Sequence, residues 1–115
     1  MSETKNEERQ AELYRAGALL GLITLSRDEC DFPWFVGTFE PSSAFEAVRE
    51  LFDQQARALD RAFSEDPADA EAERDYERLY ELVHGPGIRL RWLHDGAWDD
   101  DVMGLTIEGR RVAWR

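Results

Sequence analysis

The middle of the chain, from Pro41 to Gly87, restricts the fold most, because apolar residues recur there at helical spacing in two successive runs. The first run, PSSAFEAVRELFDQQARALDRAF, puts Phe45, Val48, Phe52, Ala56, Leu59 and Phe63 on one stripe. Its Ser43 and Glu46 have the spacing of a capping box. A break follows at Asp66-Pro67, where Asp66 is a good cap and Pro67 suits a first helical position. The second run aligns Ala72, Tyr76, Leu79, Tyr80 and Val83 and stops at Gly85-Pro86-Gly87. Two amphipathic helices each expose one apolar stripe, and each stripe requires a surface to cover it.

That surface is predicted from the flanks, which alternate with the period of strands. AELYRAGALLGLITLS reads as a hairpin turning at Ala16-Gly17-Ala18, with Leu20, Leu22 and Thr24 set against Leu19, Ile23 and Leu25. A competing reading is a helix over 5–16, capped by Thr4 and stopped by Gly17. DECDFPWFVGTFEP contributes a strand from Trp34 to Phe39, with Trp34, Val36 and Thr38 on one face and Phe35, Gly37 and Phe39 on the other. Pro33 has no N–H to donate, which places it at a strand start or on an edge. GIRLRWLHDG alternates Ile88, Leu90 and Trp92 against Arg89 and Arg91, a strand with one wet face. LTIEGRRVAWR closes as a hairpin, and a two-residue turn at Gly109-Arg110 pairs Ile107 with Val112. The expected fold is therefore α+β: an antiparallel sheet of five or six strands in the order β-β-β-α-α-β-β-β, with both helices packed on one face. Residues 1–10 are polar and read as a flexible N-terminal segment, and residues 11–115 read as a single domain. The pattern specifies neither the strand order nor the oligomeric state.

Charge narrows the function classes. A formal charge of -11 opposes binding to nucleic acid or to an anionic membrane, so a charged partner is expected to be basic. Cys30 is the one cysteine, which rules out an internal disulfide and fits a reducing compartment. The sequence contains no apolar run long enough to span a membrane, and MSETKNEERQ does not read as a leader, so the cytoplasm is the expected location. Residues 65–87 hold eight acids against two arginines. Within them Asp69, Glu73, Glu77 and Glu81 stand four apart and line one ridge. Each like-charge step there costs a few tenths of a kcal/mol, roughly, so local helix stability does not favour the arrangement. The ridge reads either as a contact surface for a basic protein or as a solvated face that keeps the chain soluble.

Reactive chemistry is thinly supplied. Cys30 lies in DECD, whose carboxylates disfavour a thiolate. His84 falls in the last turn of the second helix, where it suits the helix dipole, and His94-Asp95 makes either an acid–base pair or an ordinary turn. Asp95, Asp99 and Asp101 are the candidate ligands for a hard divalent metal, against the alternative of a solvated acidic turn. No cofactor motif is present. Trp34, Phe35 and Phe39 are the candidate small-molecule face, against core packing, and Trp98 is the tryptophan expected to show and to receive a partner's arginine or lysine. The leading expectation is a small acidic protein-binding module of inhibitor or immunity type, contacting its partner through Asp69, Glu73, Glu77, Glu81 and Trp98. The alternatives are a small-molecule or divalent-metal binding domain and an enzyme built on His94 and Asp95. Strand edges near Trp34 or Trp114 would also allow a homodimer.

Overall fold

A computed structural model of the chain describes residues 10–26, 34–62 and 70–115. The expected flexible segment through residue 9 lies outside them, as do Cys30, Pro33, Phe63, Asp66, Pro67 and Asp69. Seven strands and two helices follow in the expected α+β order. These are β1 (Gln10–Arg15), β2 (Ala18–Leu25), β3 (Phe35–Pro41), α1 (Arg49–Ala62), α2 (Ala70–His84), β4 (Ile88–Trp92), β5 (Trp98–Asp99), β6 (Thr106–Glu108) and β7 (Arg111–Trp114). The strand beyond the expected six is β5, whose two residues are too few to carry a period. All pairings are antiparallel, and the sheet runs β5-β4-β1-β2-β3-β7-β6. Among the described residues no helix is long and apolar enough to cross a membrane.

The first hairpin forms, and the helical alternative over 5–16 fails from Gln10 onward. Ala16 and Gly17 both take positive φ, 53° and 81°, as a two-residue turn matched to the strand twist demands. The register shifts between Leu13 and Tyr14, which pair with Gly21 and Leu19. Leu20 is thus a bulge residue, and this explains why strict alternation misreads β2: Leu20 and Ile23 are both buried while Leu19 is exposed. Gly21 allows β3 to close on β2, since a Cβ there would collide with the Glu40 carbonyl oxygen and the Phe39 ring. The closing hairpin has the expected register, with Ile107 opposite Val112 around a turn led by Gly109 at φ 62°.

One face of the sheet carries the core. Ala11, Leu13, Ile23, Phe39, Leu90, Val112 and Trp114 pack there with Phe52 of α1 and Val83 of α2. The first helical run is not continuous. Ser43–Ala47 forms a short 3-10 helix, and the α-helix starts only at Arg49, after Val48 at φ -120°, ψ 2°. The capping box does not form either. Ser42 precedes the 3-10 turn without a side-chain cap and its hydroxyl donates to the Leu19 carbonyl at 2.5 Å, while Glu46 pairs with Arg49 at 2.6 Å. Tertiary packing overrides the local motif, because the tighter turn buries Phe45 edge-on to Phe39 at 5.0 Å and against Phe52 at 5.6 Å.

The connection from β5 to β6 dictates the sheet's shape. Six inter-strand spacings separate these edges along a flat sheet, about 29 Å at about 4.8 Å each. Seven residue steps from Asp99 to Thr106 reach at most about 25 Å. The sheet must therefore curl toward its helical face, with residues 100–105 as a strap between its two edges. Val102 and Leu105 of the strap are buried.

Candidate functional site

The acidic flank of α2 is the most distinctive surface. The helix ends where sequence reading places its stop: Gly87 takes φ 101°, Gly85 N–H donates to the Glu81 carbonyl at 2.8 Å and Gly87 N–H to that of His84 at 2.9 Å. Arg15 of β1 adds Nε to the Val83 carbonyl at 3.0 Å and Nη2 to that of Leu82 at 2.7 Å, so a cation closes the negative end of the helix. Ala72, Leu79 and Val83 are buried, which turns Glu73, Glu77 and Glu81 outward, and all three are exposed. Among the described residues none of the three makes an ion pair, although Asp75 of the same helix takes Arg61 at 3.6 Å. Tyr76 and Tyr80 lie beside them, rings edge to face at 6.1 Å. Shallow grooves of about 360 Å³ and 210 Å³ run along this flank, the first lined by Tyr76, Glu77, Tyr80 and Glu81 and the second by Ala62, Glu73, Tyr76 and Glu77. Burial, and after it the charge of Tyr80, pushes the Tyr76 phenol above its ordinary pKa. The flank thus offers carboxylates without ion pairs among the described residues, next to hydroxylated aromatic rings, a chemistry that suits lysine and arginine side chains.

A wider cleft of about 550 Å³ separates α1 from α2 and is lined by Gln54, Arg57, Asp60, Arg61, Asp75, Arg78 and Leu79. Within it Arg61 pairs with Asp75, and Arg57 pairs with Glu50 at 3.3 Å.

Trp98 lies on the opposite face of the sheet and is 45% exposed. Its ring already holds cations of the same chain, Arg89 at 4.3 Å and Arg91 at 5.9 Å, and Tyr14 packs on it at 5.1 Å. Arg89 in turn pairs with Asp100, and Arg91 with Glu12 at 3.8 Å. The register produces this cluster, since Tyr14 pairs with Arg89, and Arg91 with Trp98. Trp98 and the acidic flank are therefore not one surface.

The aromatic strand divides. Phe39 is buried, whereas Trp34 and Phe35 are 40% and 41% exposed. Phe35 stacks on Trp114 at 5.4 Å and Trp34 receives Arg115 at 5.5 Å. Asp95, Asp99 and Asp101 are not gathered: Asp95 accepts Ala97 N–H and Asp99 accepts Asp101 N–H, both at 2.9 Å, as turn-forming aspartates do. Among the described residues no three His, Cys, Asp or Glu side chains form a group fit for a metal ion. His94 and Asp95 approach to 3.4 Å in an exposed turn.

Sequence reading missed the ladder Tyr76, Tyr80, His84, whose four-residue spacing is its only signal, and the Arg15 cap, for which the sequence offers no signal at all. Compared with known proteins, the chain matches no protein-family model, no curated protein and no solved structure.

Proposed function

We propose that the chain is a small acidic protein-binding module, cytoplasmic and of inhibitor or immunity type, whose α2 flank covers a basic surface on another protein. The observation that carries this reading is the set of three exposed glutamates, Glu73, Glu77 and Glu81, which make no ion pair among the described residues while described arginines take other acids. A helix gains nothing locally from such a row, and the last of these glutamates approaches its negative end. A basic partner would remove that repulsion on docking, and the field of a chain with net charge -11 would steer it in quickly. Trp98 is a weaker contact candidate than the flank, because its ring is already occupied by arginines of the same chain.

The test is capture from host lysate by the wild-type chain and by the triple variant E73Q/E77Q/E81Q, at low and at moderate salt. A basic protein retained by the wild type at low salt, released as salt rises, and not retained by the triple variant is the expected result. Equal capture by the two chains, or no basic protein at low salt, would overturn the proposal.

A further inference from the structure

The end of α2 is tied to the strap over 100–105 through two side chains. Tyr80 and His84 lie one turn apart with their rings stacked at 3.9 Å and 10°. The Tyr80 hydroxyl oxygen accepts Gly104 N–H at 3.1 Å, and His84 Nε2 accepts Leu105 N–H at 3.2 Å. A backbone amide can only donate, so Nε2 is the bare nitrogen of the ring. The proton then sits on Nδ1 and is donated to the Tyr80 carbonyl oxygen, 3.1 Å away. Both nitrogens are committed to the neutral imidazole in one tautomer. An imidazolium would confront Leu105 N–H with a second donor and lose that bond.

The charged and titratable groups facing the ring are few: Tyr80 and Glu81 of its own helix and Arg15 of β1, while the strap contributes backbone. Burial is the main cause that holds His84 below the ordinary histidine value, and Arg15 acts in the same direction. The Tyr80 carbonyl and Glu81 oppose it. The strap's other anchors include the core packing of Val102 and Leu105. Met103 exchanges two backbone hydrogen bonds with Arg115, and Gly104 lies close to the Trp34 ring.

We propose that His84 is an acid-released latch: neutral, it pins Leu105 of the strap to the end of α2 beside the bond from Gly104 to Tyr80, and protonated, it lets Leu105 go. Release uncovers Leu105 beside Trp34 and Met103, which are already exposed. The device thus adds apolar surface to an otherwise acidic molecule when the pH falls. Because the folded state holds the ring neutral, the stability it contributes is complete above the unfolded value of 6.5 and is lost as pH falls through the lower folded value.

The test is amide hydrogen exchange on the whole chain, followed by NMR between about pH 7.5 and about pH 5 and corrected for intrinsic rates, together with the ring ¹⁵N shifts of His84. The expected result is an Nδ1–H tautomer at the upper end and a loss of protection at Leu105 of about tenfold or more as His84 titrates, while amides of β2 and β7 keep theirs. H84Q offers a carbonyl acceptor that does not titrate, and it should abolish the step. The latch is refuted by an Nε2–H tautomer, by Leu105 protection that ignores the titration, or by β2 and Leu105 losing protection together. Should H84Q not fold, the wild-type exchange data decide the matter alone.

Discussion

Ala16 is the strained residue of the described chain, the one non-glycine at positive φ among the described residues. An L side chain in that conformation costs about 1 kcal/mol or more, which asparagine tolerates better by hydrogen-bonding locally. A16N should therefore raise stability by about 0.5–1 kcal/mol, seen as a higher urea midpoint at unchanged slope. Gln55 is a second anomaly. It is fully buried and neither Oε1 nor Nε2 has a hydrogen-bond partner among the described residues. Removing both orphaned atoms at nearly constant volume, as in Q55L, should stabilise by about 1–3 kcal/mol in the same urea titration. Neither feature was legible in the sequence: Ala-Gly at a turn is unremarkable, and Gln55 reads as polar surface until the sheet and α2 are packed around α1.

At the scale of the elements, the helical stripes, the strand alternation and the Gly-Pro-Gly stop were all visible, because each depends on residues within a turn or two. The capping box failed because Phe45 gains more from the aromatic core than Ser43 and Glu46 gain from capping. β2 deceived simple alternation for a similar reason, since one bulge residue reverses the faces beyond it. The Arg15 cap is a long-range device and yields its own prediction. R15M keeps much of the apolar stem but strips two charge-assisted bonds from the end of α2, and should lower thermal stability by about 1–3 kcal/mol, with α2 amides losing exchange protection before those of α1.

At the scale of the whole molecule, the net charge of -11 repels itself, and three glutamates of α2 make no ion pair among the described residues. Screening should therefore stabilise the chain: the urea midpoint should climb between about 0.01 M and about 0.3 M salt, where the Debye length falls from about 30 Å to under about 10 Å. E73Q/E77Q/E81Q should gain stability at low salt and show a smaller climb. The sequence by itself determined the class of fold, the order of its elements, the helical stripes that enter the core and the acidic ridge, all of which follow from periodicity and charge along the chain. Tertiary structure decided the strand order, the curl that a six-residue strap imposes, the arginines that occupy Trp98 and the latch at His84. These depend on residues far apart in the chain that meet only when the sheet closes on its helices, and no local pattern encodes such a meeting.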